Sequence, residues 1–238
     1  MQRVPGPRPL SRVALVLAIG MGAPPASAAA QVYIGRPVPH AGTVEVSGGA
    51  TFSGGFDLGS ISAEETRNTG GGTEPFVLFT ATSRAKPAAG LQGLIGVYLA
   101  RSASVEAGVQ FSRPILSTEL SNDSESAPDV TATETLTRIV ATGSLVLHMN
   151  GLSFAGGKGI PFVLGGAGYI RELHEKNEVV ETGRAYHAGA GLHLWFGQGR
   201  HRLGLRGDFG VSRRTGGADT IDVARTVPTA GVSLAYLF

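Results

Sequence analysis

Apolar and polar positions alternate with a period of two along most of the chain beyond residue 43. Val44, Val46, Ala50 and Phe52 share one face against Glu45, Ser47, Gly49 and Thr51. Leu91, Ile95, Val97 and Leu99 are interleaved with Gln92, Gly96 and Tyr98, and Val105, Ala107, Val109 and Phe111 with Glu106, Gly108, Gln110 and Ser112. Ile139, Ala141, Leu145 and Leu147 stand opposite Arg138, Thr142, Ser144 and His148. Further on, Tyr186, Ala188, Ala190, Leu192, Leu194 and Phe196 oppose His187, Gly189, Gly191, His193 and Trp195. Leu203, Leu205, Phe209 and Val211 oppose Arg202, Gly204, Arg206, Asp208 and Ser212. The chain closes on Ala230, Val232, Leu234, Tyr236 and Phe238 against Gly231, Ser233 and Ala235. A helix would space its apolar residues by 3.6, so each segment predicts a β-strand. An eighth strand sets Phe162, Leu164 and Ile170 against Gly165, Ala167, Tyr169 and Arg171, and its pattern does not say which face points outward.

The connections alternate as well. Arg101–Ala103 and Gly197–His201 are short, Asn150–Ile160 is intermediate, and Asp57–Pro87, Pro114–Ala132, His174–Gly183 and Thr215–Arg225 are long and polar. An even number of antiparallel strands with both termini on one side places short turns at that end and long loops at the other. Residues 75–82, with Phe76, Val77, Leu78, Phe79 and Thr80, form a further apolar run. Nine strands would separate the termini, so this run is expected in the first outer loop or as an extension of a neighbouring strand. Ten strands is the structural alternative. The expected fold is thus all-β, an eight-stranded antiparallel up-and-down barrel.

The N-terminus changes the accounting of charge. Arg3, Arg8 and Arg12 precede an apolar run Val13–Met21 and the small residues Ala26–Ala30. This predicts a secretory signal peptide over 1–30, cleaved after Ala28 or Ala30, because the apolar run falls well short of the roughly 20 residues of a spanning helix. A periplasmic segment 31–42 and a barrel domain 43–238 follow. Without the signal the chain has 17 basic and 18 acidic residues, a net charge of −1, so a nucleic-acid partner has no electrostatic support. There is no cysteine, hence neither a disulfide framework nor a thiolate metal site. Glycine, at 36 residues without a G-X-Y period, implies tight turns and close backbone contacts.

Alternation alone does not distinguish a barrel in lipid from a soluble barrel with its apolar face inward around an apolar ligand. The polar faces here are mostly Gly, Ala, Ser and Thr with single charges, not the long charged side chains that cover a water-facing exterior. A closed barrel in lipid also satisfies every backbone polar group. The expectation is therefore a transmembrane barrel, with Glu45, Glu106, Arg138, Arg206 and Asp208 in the lumen as a structural charge network, joined by Arg171, His187 and His193. An eight-stranded barrel is just wide enough for side chains to fill it, and charges there must pair or hold water.

Candidate chemistry is sparse. His174 and Glu175 adjoin but point to opposite faces of an extended chain, no His lies two residues before a Ser, and His148, His187, His193 and His201 are scattered. Glu119, Asp123, Glu125 and Asp129 form an acidic loop without the ordered spacing and central Gly of a calcium loop. Gly70–Gly72 lacks the helix and GK[ST] of a phosphate cradle, and Gly165, Gly166 and Gly168 read as small residues in a strand. No catalytic residue, metal or cofactor is expected.

A signal peptide, eight alternating strands, long outer loops and a last strand ending Tyr236, Leu237, Phe238 resemble the small outer-membrane β-barrel family of OmpA-, OmpX- and OmpW-like proteins. The resemblance spans nearly the whole mature chain and implies residence in the outer membrane of a diderm bacterium as a monomer. It implies contact with outer-membrane lipid, and recognition of Tyr236 and Phe238 by the outer-membrane assembly machinery. It further implies a structural, surface-interaction or narrow-permeability role, with the polar loops offered to an extracellular ligand. Lipid A deacylases and acyltransferases built on such barrels make a lipid-modifying enzyme the alternative, and a soluble barrel for an apolar ligand the second alternative.

Overall fold

The computed structural model describes residues 39–65, 76–124, 127–174, 179–197, 201–216 and 224–238. The expected signal peptide over 1–30, most of the expected periplasmic segment 31–42, Gly70–Gly72, Glu125 and Glu175 lie outside them. Eleven strand segments are present among the described residues: β1 (Val44–Ser53), β2 (Phe56–Glu65), β3 (Phe76–Ala85), β4 (Ala88–Ala100), β5 (Ala103–Ser112), β6 (Ile115–Ser121), β7 (Val130–His148), β8 (Gly159–His174), β9 (Val180–Phe196), β10 (Arg202–Gly216) and β11 (Arg225–Leu237). Eight of them close a ring in the order β1-β4-β5-β7-β8-β9-β10-β11, every neighbouring pair antiparallel. Closure is completed by Glu45–Ser53 of β1 against Leu237–Thr229 of β11.

The other three segments prolong ring strands outward. β1 breaks at Gly54-Gly55 and resumes as β2, β3 continues through Lys86-Pro87 into β4, and β5 passes Arg113-Pro114 into β6. Each break falls at residues that interrupt a ladder, since proline lacks the N–H donor and glycine is conformationally loose. Beyond the breaks β2 pairs with β3, β3 with β6, and β6 with the outer part of β7, whose inner part pairs with β5. Residues 76–85 are therefore an extension of a ring strand, and the barrel has eight strands rather than ten.

The expectation of long polar loops over 57–87 and 114–132 is corrected, because much of both segments is paired strand. Their Ser and Thr residues support this pairing with hydroxyl contacts, Ser60 to Thr82 at 2.8 Å and Ser83 to Thr118 at 3.0 Å. Among the described strands β2 pairs with β3 only. Next to β11 it is held by Gly54 N–H donating to Pro228 O at 2.8 Å and by Arg225 Nη2 donating to Leu58 O at 2.8 Å.

The apolar faces point outward. Leu91, Phe209 and Leu234 are 67, 69 and 60 % exposed, and Val46, Ile95, Val109, Leu145 and Val211 are exposed with them. Around a closed wall these side chains make one apolar girdle, far larger than the patches a soluble monomer shows. No helix among the described residues is long and apolar enough to cross a membrane; the crossing elements are the strands. β7, β8, β9 and β10 run 19, 16, 17 and 15 residues, more than the roughly 9–11 needed to span a bilayer, so their outer ends stand clear of lipid. At the inner rim Tyr236 and Phe238 face outward with ring centroids 4.8 Å apart. Phe238 N–H donates to Val44 O at 2.9 Å, which ties down the C-terminus.

In β8 the orientation left open by sequence is settled: Ile160, Phe162 and Ile170 are buried inside, and Tyr169 is exposed outside. Arg171 follows Tyr169 to the exterior, correcting its expected place in the lumen. Glycines make this inward packing feasible. A Cβ on Gly191 would stand 2.3 Å from Phe162 Cζ, so the phenyl ring lies directly on bare backbone.

Candidate functional site in the barrel lumen

The inner half of the lumen is filled. Tyr98 of β4, Ile160 of β8, Trp195 of β9 and Ala235 and Leu237 of β11 form one buried cluster. His148 stacks on Tyr98 at 4.8 Å, His193 stacks on Trp195 at 5.1 Å, and Phe162 lies 4.7 Å from His193. Every one of these rings occupies an inward position in a period-two strand, so ring closure brings them together from four strands.

The charged groups form a second layer on this aromatic plug. Arg206 of β10 makes a two-point contact with Glu106 of β5, Nη1 donating to Oε1 at 2.7 Å and Nη2 to Oε2 at 3.0 Å. The same guanidinium stands 3.8 Å from Glu45 and 3.5 Å from Asp208, and lies over the Phe162 ring at 4.8 Å. Glu45 accepts from Tyr98 Oη at 3.1 Å and from His193 Nε2 at 3.0 Å. Thus Glu45, Glu106, Arg206 and Asp208 share one cluster, with His193 attached to it. Arg138 belongs to a different one: near the outer mouth its Nε pairs with Glu172, and its guanidinium stands over Phe56 at 5.7 Å.

Outward of the Arg206 cluster is a cavity of about 70 Å³, with Gln92, Gln110, Thr142, His187, Arg206 and Arg214 in its lining. Ser144 Oγ and His187 Nε2 are hydrogen-bonded there at 2.8 Å, and Asp208 lines the same space. A second hydroxyl–imidazole pair, Ser104 and His148 at 3.0 Å, is buried in the aromatic plug. A volume of this size holds a few waters. Among the described residues no three His, Asp or Glu side chains are grouped to hold a metal ion.

Sequence reading missed Tyr98 as a luminal partner, and it missed Glu172 and Arg214. Parity would have found both of the latter, since Glu172 continues the inward series from Ile170, and Arg214 that of Arg206, Asp208 and Ser212.

Beyond the bilayer the outer ends of β7, β8 and β9 are joined by His174, whose Nδ1 is 3.2 Å from Glu134 and whose Nε2 is 3.5 Å from Glu181. Burial works against the imidazolium, but hydrogen bonds to Glu134 and Glu181 and their charges outweigh it, raising His174 above the ordinary histidine value of 6.5. A raised value in the folded state means that the stabilisation is fully present below the unfolded value and is lost as pH rises through the folded one. Limited proteolysis in the connection between β8 and β9 is expected to accelerate as pH rises above 6.5, and in His174→Gln to be fast at every pH. A pH-independent wild-type rate contradicts this.

No family model and no curated sequence matches the chain. Among solved structures it is similar to the outer membrane protein OprG from Pseudomonas aeruginosa, with 10 % identity, 84 % of this chain and 97 % of that one covered, and a TM-score of 0.49. It is also similar to Ail, the attachment invasion locus protein of Yersinia pestis, with 13 % identity, coverage of 83 and 99 %, and a TM-score of 0.42. The outer membrane protein AlkL, in lipid bilayers, shows 17 % identity, coverage of 85 and 92 %, and a TM-score of 0.42. The fold assignment itself rests on the strand order, register and apolar exterior of this chain.

Proposed function

We propose that this chain, which has the fold of a small outer-membrane β-barrel, is a non-conducting monomer whose role is exercised by the sheet it raises above the bilayer. The observation that carries the reading is the filled lumen. The plug of Tyr98, His148, Phe162, His193 and Trp195, capped by the Arg206 cluster, obstructs the inner half, and the cavity above it is only about 70 Å³. With its inner half obstructed, the barrel acts as a mount. Above it β2, β3, β6 and the outer part of β7 form a sheet with Ile61, Val77, Leu120 and Val130 exposed, a surface for an extracellular ligand. Tyr236 and Phe238, outward on the last strand, are the residues offered to the assembly machinery. No catalytic role is assigned to the two Ser–His pairs, which lie inside the lumen.

The test is conductance of the folded, heat-modifiable protein in planar bilayers. The wild type is expected to give no unitary steps, and simultaneous truncation of Phe162 and Trp195 to Ala to introduce them. Steady unitary openings of the wild type would overturn the reading.

A further inference from the structure

Among the described residues, the outer end of the lumen holds two buried arginines, Arg138 and Arg214, and one buried carboxylate, Glu172. Arg214 of β10 is 93 % buried, yet its Nε and Nη1 are buried without a hydrogen-bond partner. Two atoms of a permanently charged guanidinium in that condition are costly, because a desolvated charge needs a counter-charge or strong hydrogen bonds. The near carboxylate is Glu172, already paired with Arg138, which is itself 98 % buried. Glu45, Glu106 and Asp208 stand around Arg206 on the inner side of the lumen.

We propose that Arg214 holds one small inorganic anion at the outer end of the luminal cavity. Space and donors are both present. The 70 Å³ cavity reaches Arg214, and Thr142, Ser212, Gln110 and His187 line it with hydroxyl, amide and imidazole groups. Its carboxylates, Glu106 and Asp208, lie toward Arg206, so the anion is held at the Arg214 end. The volume admits a halide or a single tetrahedral oxyanion and excludes a sugar phosphate, a nucleotide or a lipid headgroup with its chains. Water in the same place would satisfy N–H donors without cancelling the charge.

The experiment uses the full chain refolded in micelles, its folding verified by heat-dependent gel mobility. Urea unfolding midpoints are compared in sodium gluconate, sodium chloride and sodium phosphate at constant ionic strength and pH. Binding to the native state alone raises the midpoint in a saturable way. The wild type is expected to show that rise in chloride, phosphate or both, according to whether the site takes a halide or an oxyanion, and Arg214→Gln to lose it. An equal midpoint in all three salts, or a rise that Arg214→Gln retains, would overturn the proposal. Should the variant fail to fold, wild-type crystals soaked in bromide decide: an anomalous peak beside Arg214 supports the site, and its absence, with the chloride effect also absent, overturns it.

Discussion

Arg206→Met is expected to destabilise the barrel by about 3–5 kcal/mol, the cost of removing one partner of a buried ion pair. The guanidinium is 2 % exposed and faces three carboxylates, so its loss leaves Glu106 without its two-point donor and Glu45 and Asp208 without their cation. Adding Glu106→Leu should recover much of the loss, because a buried pair replaced by apolar groups of similar volume is often neutral. Urea unfolding in lipid vesicles measures both variants. A double variant no more stable than Arg206→Met would show that the Arg206–Glu106 pair is not the coupled unit described here.

Leu234→Arg is the second large effect. Leu234 lies on the apolar exterior, paired with Gly48 and Leu205, midway along β11 between Phe238 and Ala230, the latter being level with Phe52 and Phe209. At the centre of a bilayer an outward arginine costs about 2–4 kcal/mol. On a soluble barrel the same exposed position would tolerate it to within about 0.5 kcal/mol. Unfolding from bilayers thus separates the two architectures by a single residue, and a negligible cost for Leu234→Arg would favour a water-facing exterior.

The ring was legible because its signal is local. A strand such as Val105–Phe111 alternates without interruption, and the same parity that exposes Val109 sends Glu106 inward. Of the outer sheet only the apolar run of β3 was legible, as an extension of a neighbouring strand, since β2 and β3 carry several Ser and Thr residues and are separated from their ring strands by Gly-Gly and Lys-Pro, residues that ordinarily announce loops. β8 was ambiguous for a different reason: Phe162 and Ile170 are large and apolar but point inward, filling space left by Gly191 and its neighbours, and only closure reveals that space. Arg138 and Arg206 occupy equivalent inward positions in sequence, yet the structure divides them between two layers. Pairing across a lumen depends on strand stagger, which one strand's sequence does not encode.

The faces of the wall are the central claim, and the chain's single tryptophan offers the most direct measurement of them. Trp195 is buried inside the lumen at 2 % exposure, whereas Phe209, on the adjacent strand, is 69 % exposed. In bilayers whose acyl chains carry bromine, a quencher that acts at short range, wild-type Trp195 fluorescence should be nearly unaffected. The Trp195→Phe, Phe209→Trp protein should be strongly quenched under the same conditions. Equal quenching of both, or strong quenching of Trp195 alone, would contradict a barrel with its apolar face in lipid and its aromatic plug within.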